Sequence, residues 1–128
     1  MTDPRHILLV DDEAMAIMAL EYGLVDEGFR VTTAFNGQEA LSLWRGDRFD
    51  ALVTDLRMPV MAGDELIRNV RSEAPELPVV VVSGYATGEV SDGLRESFPA
   101  PIEIMPKPVR VEAISGALKR MLSMDLGA

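Results

Sequence analysis

The stretch Ile7-Leu-Leu-Val-Asp-Asp-Glu13 decides the fold class, because a wholly apolar run ends abruptly at three consecutive acids. An apolar run without polar alternation is typical of a parallel strand that helices cover on both faces. Polar residues directly after such a strand lie at the carboxyl edge of the sheet, where parallel α/β proteins bind their ligands. The stretch therefore predicts a buried strand over residues 6–10 that delivers carboxylates to a crevice.

Four further runs have the composition of strands and alternate with helical patterns. The strand-like runs cover residues 30–35, 51–54, 78–83 and 102–105, and the helical patterns cover residues 14–27, 40–45, 64–72, 88–98 and 109–124. Asn36 and Glu39 have the spacing of a capping box before the second helix. Strict alternation of strands and helices predicts right-handed crossovers and a parallel sheet with helices on both faces. The two more polar runs, at 30–35 and 102–105, are predicted to form the sheet edges.

Composition places the chain among ordinary globular domains. Its 128 residues are 48% hydrophobic and 26% charged, which is enough apolar content for a packed core and too much for disorder. The apolar runs are too short to cross a bilayer, and the N-terminus lacks the basic and apolar segments of an export signal. We therefore expect a single domain over residues 1–128, with short tails at 1–5 and 125–128, located in the cytoplasm.

Charge and cysteine content exclude several classes of function. Twelve basic residues against twenty-one acidic ones give a formal net charge of −9, which repels nucleic-acid phosphates and anionic membranes. We therefore expect no nucleic-acid partner and no membrane partner for this chain alone. The chain has no cysteine, which excludes disulfides, thiolate metal sites and cysteine nucleophiles.

Five polar residues follow the predicted strands and are expected at one edge of the sheet. They are Asp11, Asp12, Asp55, Ser83 and Lys107. Three carboxylates in one crevice repel one another unless a cation is present, and oxygen ligands without His or Cys suit Mg²⁺. A lysine and a hydroxyl opposite them suit a phosphoryl group, for which a carboxylate can be the nucleophile. Taken alone, each residue has a simpler interpretation as a helix cap, a turn former or a solvated side chain.

Four stretches carry a resemblance to a known family. They are Ile7-Leu-Leu-Val-Asp-Asp-Glu13, Thr54-Asp-Leu-Arg-Met-Pro-Val-Met-Ala-Gly63, Val82-Ser-Gly-Tyr85 and Pro106-Lys-Pro108. With these stretches in this order and at these spacings, the chain resembles the receiver domain of bacterial two-component response regulators from end to end. The resemblance implies an α/β, flavodoxin-like (βα)5 fold, which is a doubly wound parallel five-stranded sheet with strand order 2-1-3-4-5.

The resemblance also implies an acceptor and a metal site. Asp55 would accept a phosphoryl group from a phosphohistidine on a sensor histidine kinase or a histidine phosphotransfer protein. Asp12, Asp55 and the backbone carbonyl of Arg57 would ligate Mg²⁺ or Mn²⁺ directly, and Asp11 would act through an ordered water. The chain would then be a signalling switch rather than an enzyme, and phosphorylation would change its binding to an unknown downstream protein.

By the same resemblance, Lys107 would pair with the phosphoryl group and the Ser83 hydroxyl would turn toward it. The peptide bond before Pro108 is expected to be cis, an isomer that proline makes accessible. In the family an aromatic residue three positions before the lysine couples to the hydroxyl. This chain has Ile104 at that position, which has no hydroxyl and less reach, so the aromatic switch of the family is not expected to work in its usual form.

Further positions of the resemblance lie around the acceptor. Arg57 and Tyr85 occupy positions that vary in the family and tune the lifetime of the phosphoryl group, although both residues also suit a plain surface role. Met58, Pro59 and Gly63 would shape the loop that follows the acceptor.

The main alternative is a receiver-like interaction module that signals without phosphorylation, for which Ile104 leaves room. Two catalytic or carrier classes fit less well. A phosphatase of the haloacid dehalogenase type needs a second acid where this chain has Arg57, and a flavodoxin needs a Ser/Thr/Gly-rich loop in place of residues 11–13. The chain also lacks the G-x-x-x-x-G-K-[ST] stretch that binds nucleotide phosphates.

Four other residues have expectations of their own. His6 is a lone histidine at a strand start, for which a surface or edge position is expected. Trp44 is expected to pack on the second helix. Met15 and Met18 lie on the first helix and suit an adaptable partner surface, although core filling is the more common use of methionine.

Overall fold

Five strands and five helices alternate along residues 3–124, which are the residues that this computed structural model describes. The strands are β1 (His6–Val10), β2 (Arg30–Ala34), β3 (Ala51–Thr54), β4 (Val79–Ser83) and β5 (Ile102–Pro106). The helices are α1 (Ala14–Asp26), α2 (Gly37–Gly46), α3 (Gly63–Glu73), α4 (Gly88–Ser97) and α5 (Val111–Met121). The expected tail at 125–128 lies outside the described residues.

All strands are parallel and lie in the order β2-β1-β3-β4-β5, which confirms the predicted sheet. β1, β3 and β4 are buried along their whole length. β2 and β5 form the edges, as their more polar sequences predicted, and β5 pairs with β4 on one side only. The carboxyl ends of β1, β3, β4 and β5 therefore open onto one edge of the sheet, where the polar residues follow.

Two apolar layers cover the sheet, one on each face. Leu8 and Val10 point into the layer formed with α2, α3 and α4, whereas Ile7 and Leu9 point into the layer formed with α1 and α5. This alternation explains why the run has no polar residue, because neither side of β1 faces water. Among residues 3–124, no helix combines the length and the apolar character that a bilayer crossing requires.

The second helix begins earlier than predicted. Asn36 Oδ1 accepts a hydrogen bond of 2.8 Å from the Glu39 amide, so α2 begins at Gly37 rather than three residues later. The Glu39 carboxylate accepts from the Phe35 amide rather than from that of Asn36, so the capping box is displaced by one residue. α5 is shorter than predicted, and the other boundaries agree to within one residue.

His6 is buried, so the expectation of a surface or edge position was wrong. Its Nδ1 lies 2.7 Å from the Arg48 carbonyl oxygen and its Nε2 lies 2.7 Å from Thr32 Oγ1. The ring also packs on Phe49, with the two centroids 4.2 Å apart. Because β1 lies between two other strands, its first residue is covered by β2 and by the loop before β3, and these supply the hydrogen bonds that a buried imidazole needs.

Arg71 brings a buried guanidinium to the end of α3, a feature that the sequence did not suggest. Its nitrogens donate to the carbonyl oxygens of Leu77, Pro99 and Pro101, so the side chain joins α3 to the loops before β4 and β5. Burial lowers the pKa of Arg71. Its position four residues after buried Ile67, on the apolar stripe of the helix, is the sequence feature that could have indicated its burial.

Val60 adopts a left-handed backbone conformation, with a φ of 71°. This conformation is strained for a β-branched residue, and Val60 is 74% exposed, so little burial compensates the strain. We expect Val60→Asn to raise the unfolding free energy by about 0.5–1 kcal/mol, measured by urea denaturation. Val90→Asn, an exposed valine within a helix, is the control and is expected to give no gain; an equal gain from both variants would contradict the explanation.

Candidate functional site

Three carboxylates lie together at the carboxyl edge of the sheet. Asp11 and Asp12 follow β1, Asp55 follows the adjacent β3, and one oxygen of each lies within 4.8 Å of the others. Asp11 is 2% exposed and Asp55 is 8% exposed, whereas Asp12 is open to solvent. The convergence expected from the sequence is therefore present in the folded chain.

Backbone amides hold one oxygen of each buried acid. Asp11 Oδ1 accepts from the Glu13 amide at 3.0 Å, and Asp55 Oδ1 accepts from the Leu56 amide at 2.6 Å. The Thr54 hydroxyl donates to the Asp55 backbone carbonyl at 2.8 Å, which fixes the main chain at the end of β3. These contacts orient the second oxygen of each carboxylate toward the lysine described next.

Lys107 bridges the two buried acids. Its Nζ lies 2.8 Å from Asp11 Oδ2 and 2.9 Å from Asp55 Oδ2. Partial burial by itself lowers the pKa of Lys107, but the hydrogen bonds and charges of the two aspartates outweigh it and hold the pKa above its ordinary value of 10.5. The side chain is therefore an ammonium throughout the neutral range. The Lys107–Pro108 peptide bond is cis in the structure.

The net charge of the three aspartates together with Lys107 fits a divalent cation. Ionised, Asp11, Asp12 and Asp55 carry three negative charges, and the Lys107 ammonium offsets one of them. One divalent ion would neutralise the remaining two charges. The donors in the cluster are carboxylate oxygens, which magnesium and manganese prefer over softer ligands. The residues present thus fit the metal that the sequence suggested.

Gly63 lets α3 begin directly behind the loop that follows Asp55. Its amide donates to the Leu56 carbonyl at 2.8 Å, and a Cβ at this position would lie 2.0 Å from the Asp55 carbonyl oxygen. At Gly37 a Cβ would lie 2.5 Å from the Met61 carbonyl oxygen, so the start of α2 presses on the same loop. Both contacts are with backbone atoms, which cannot move aside as a flexible side chain can.

Ser83, Tyr85 and Arg57 lie on neighbouring strand ends. The Ser83 side chain is fully buried, and its Oγ accepts from the Tyr85 amide at 3.1 Å. The Arg57 guanidinium carbon lies 3.9 Å from the centroid of the half-exposed Tyr85 ring. The stack was not predicted from the sequence. Arg57 stands two residues after Asp55 and Tyr85 stands two residues after Ser83, at the ends of adjacent strands, and this matching position is the signal that could have indicated it.

Ile104 lies on β5, half-buried against the apolar layer that β5 shares with α4. The end of the same strand is tied to β4, because the Lys107 amide donates to the Ser83 carbonyl at 3.0 Å. Trp44 packs against the same layer, as expected for it. Met15 and Met18 are exposed on α1, which leaves them accessible to a partner.

Comparison with known proteins places these features in one family. A sequence profile described as the response regulator receiver domain matches residues 7–119. The chain is 39% identical over 110 residues to a response regulator receiver protein of Anaeromyxobacter sp. (strain Fw109-5), a match that covers 86% of the chain and 45% of that relative. It is 30% identical over 125 residues to the transcriptional regulatory protein GlrR of Escherichia coli (strain K12), covering 98% of the chain and 28% of GlrR.

A solved structure agrees with the sequence matches. The crystal structure of a CheY-like response regulator receiver domain protein from Methanospirillum hungatei superposes with a TM-score of 0.85 at 27% identity and covers 94% of both chains. The chain spans less than half the length of the two sequence relatives, 45% and 28%, and nearly all of this solved domain. The region shared with the longer relatives is therefore the receiver region.

Proposed function

Because the chain belongs to the response regulator receiver domain family, we propose that its Asp55 carboxylate accepts the phosphoryl group in two-component signalling. The donor is a phosphohistidine on a sensor histidine kinase or a histidine phosphotransfer protein. The observation that carries this proposal is the environment of Asp55. Its carboxylate accepts a hydrogen bond from the Lys107 ammonium and lies beside the carboxylates of Asp11 and Asp12. A nucleophile, a cation and metal-binding oxygens thus share one crevice.

The transfer exchanges one bond to phosphorus for another. An oxygen of Asp55 forms a bond to phosphorus while the phosphorus–nitrogen bond of the phosphohistidine breaks, and its electron pair stays on the imidazole nitrogen. The products are an acyl phosphate on Asp55 and an unmodified histidine. The Lys107 ammonium offsets the charge on the phosphoryl oxygens, and we assign the Ser83 hydroxyl as a hydrogen-bond donor to them.

We propose that Mg²⁺ or Mn²⁺ binds at Asp12, Asp55 and the backbone carbonyl of Arg57, with Asp11 acting through a water. When bound, the cation supplies positive charge that offsets the charge of the phosphoryl group. The side-chain contacts set Asp12 apart from the other two acids. Asp11 and Asp55 are each held by Lys107 and by a backbone amide, whereas Asp12 is exposed and can turn toward a cation.

We further propose that the chain works in the cytoplasm as one receiver domain, since one sheet contains all five described strands. Phosphorylation would change its binding to a downstream protein. The net charge of −9 argues against nucleic acid as the direct partner of this chain, even though GlrR is named a transcriptional regulatory protein. Ile104 packs inward in place of the aromatic residue of the family, so we propose that the response to phosphorylation does not depend on an aromatic side chain there.

The acceptor is tested by intact mass after incubation with Mg²⁺ and a small phosphodonor such as acetyl phosphate. We expect the mass of one added phosphoryl group in the native chain, and no gain in Asp55→Asn or after the metal is chelated. Asp92→Asn, an exposed aspartate of α4, is the control and is expected to gain mass as the native chain does. An unchanged gain in Asp55→Asn, or no gain with either this donor or a phosphorylated histidine protein, would favour an interaction module that signals without phosphorylation.

The stack of Arg57 on Tyr85 has a proposed role in the lifetime of the phosphoryl group. We propose that the two side chains limit the access of water to the acyl phosphate. Tyr85→Ala is expected to speed loss of the phosphoryl group by about three- to tenfold, followed by intact mass after removal of the donor. Tyr22→Ala, on the exposed face of α1, provides the matched control. Equal lifetimes in the two variants would assign the stack a purely structural role.

A further inference from the structure

An apolar groove of about 430 Å³ lies between α3 and α4. Its floor is formed by Leu56, Leu94 and Phe98, which are nearly buried. Gly93 leaves its α4 side open, since a Cβ there would meet nothing within 4 Å. A groove of this size with an apolar floor accommodates one or two large side chains of a ligand.

Two arginines on the rim of this groove lie over aromatic rings. Arg57 lies over Tyr85, and the Arg68 guanidinium carbon lies 5.7 Å from the centroid of Phe98. Within residues 3–124, no carboxylate lies within 4.0 Å of either guanidinium, although acids outnumber bases by 21 to 12 in the chain. Even Asp64, one helical turn from Arg68 on the same rim, is not paired with it.

A guanidinium that lies over an aromatic ring keeps its N–H edge available. That edge is a fork of donors whose spacing matches a carboxylate. The two guanidinium groups flank the apolar floor, so the groove combines a hydrophobic anchor site with two sites for negative charge. The complementary ligand has an apolar side chain between carboxylates.

We propose that the α3–α4 groove docks a short acidic segment of a partner protein, with an apolar side chain on the floor and carboxylates on Arg57 and Arg68. A second copy of the chain is disfavoured, because each copy carries a net charge of −9. A short segment carries few charges, and at physiological salt the repulsion from distant acids is screened beyond about 8 Å. Because Arg57 lies in the loop that follows Asp55 and stacks on Tyr85, the groove and the candidate phosphoryl site share a residue.

The test measures binding to the unphosphorylated full chain without metal or phosphodonor, so its result is independent of the proposed phosphoryl transfer. The probe is a helical peptide of about twelve residues of Glu and Ala, with Leu and Phe placed four residues apart. We expect it to shift the amide resonances of Arg68, Gly93 and Leu94 in the ¹⁵N-labelled protein. The double variant Arg57→Gln/Arg68→Gln is expected to bind about tenfold more weakly.

Two controls separate this docking from general charge attraction. Arg48→Gln/Arg110→Gln makes the same change in net charge away from the groove and is expected to bind as the native chain does. A peptide with Lys in place of Glu, and one with Ala in place of Leu and Phe, are expected not to bind. The proposal is overturned by the absence of binding, by shifts centred on another surface, by equal binding to the two double variants, or by groove shifts that appear on concentrating the protein alone, which would identify a second copy as the occupant.

Discussion

Replacing Gly63 by alanine is expected to lower the unfolding free energy by about 2–4 kcal/mol and to abolish phosphorylation of the chain. The added Cβ would lie 2.0 Å from the Asp55 carbonyl oxygen and 3.0 Å from its carbonyl carbon, so either α3 or the loop that follows Asp55 must move. α3 cannot move cheaply, because Leu66 and Ile67 on its next turn are fully buried. The loop is confined as well, because the start of α2 packs closely on Met61. Urea denaturation measures the loss of stability, and intact mass after treatment with a phosphodonor measures the loss of function.

Gly93→Ala is the matched control for this variant. Gly93 lies inside α4, where a Cβ would meet nothing, so alanine is expected to raise the unfolding free energy by about 0.5–1 kcal/mol through its helix propensity. The two alanine variants should therefore change stability in opposite directions. A Gly63→Ala protein with native stability would show that the loop after Asp55 adapts, contrary to the close packing seen here.

Replacing Lys107 by methionine is expected to lower the unfolding free energy of the metal-free protein by about 2–3 kcal/mol. The substitution keeps most of the aliphatic side chain but leaves Asp11 and Asp55 facing each other without their shared ammonium. Magnesium should then stabilise the variant more than the native chain, because lysine no longer competes for the same oxygens. At ten times its dissociation constant, the ion adds about 1.4 kcal/mol to a protein that binds it only when folded.

Lys119→Met is the control for Lys107→Met. Lys119 lies 3.7 Å from Glu27, outside the acid cluster, and its loss is expected to change stability by less than about 1 kcal/mol with no dependence on magnesium. Urea denaturation with and without Mg²⁺ measures both variants. Equal responses of the two variants to magnesium would contradict a role for Lys107 as the charge partner of the cluster.

The pH dependence of the Lys107 contribution follows from the direction of its pKa shift. The folded pKa is raised, so the stabilisation is fully present below the ordinary value of 10.5 and is lost only as pH rises through the folded pKa. The stability difference between the native chain and Lys107→Met should thus be the same at neutral pH and at pH about 9. A difference that shrinks within this interval would show that the lysine loses its proton earlier than its contacts imply.

The buried strands could be located from the sequence, whereas the burial of His6 and the start of α2 could not. The uninterrupted apolar runs of β1 and β4 report burial on both faces, so the sequence alone locates them. His6 was placed wrongly because its hydrogen-bond partners, Thr32 and Arg48, are 26 and 42 residues away and only the folded sheet brings them to the ring. The start of α2 was misplaced because Gly37 is a poor helix former by itself, whereas in the folded chain it forms the first turn, packed against Met61.

The positions of the candidate site residues could likewise be predicted from the sequence, but their contacts with one another could not. The acids after β1 and β3 and the lysine after β5 were expected at one edge, because parallel strands bring their carboxyl ends together. The sequence did not indicate that Lys107 would bridge Asp11 and Asp55, since this requires distances that only the folded chain defines. The stack of Arg57 on Tyr85 was missed for a similar reason, because it depends on side-chain directions across two loops.

The outer edge of β5 is poorly suited to the addition of another strand. In a parallel ladder, alternate residues turn both backbone groups to the same side. The Pro101 carbonyl and the Lys107 amide bond to β4, so the backbone groups of Ile102, Ile104 and Pro106 face away from β4. An incoming strand would find the amide donors of Ile102 and Ile104 on β5. It would find no donor at Pro106, because proline has no amide hydrogen. Pro106 thus disfavours edge-to-edge pairing at this side of the sheet.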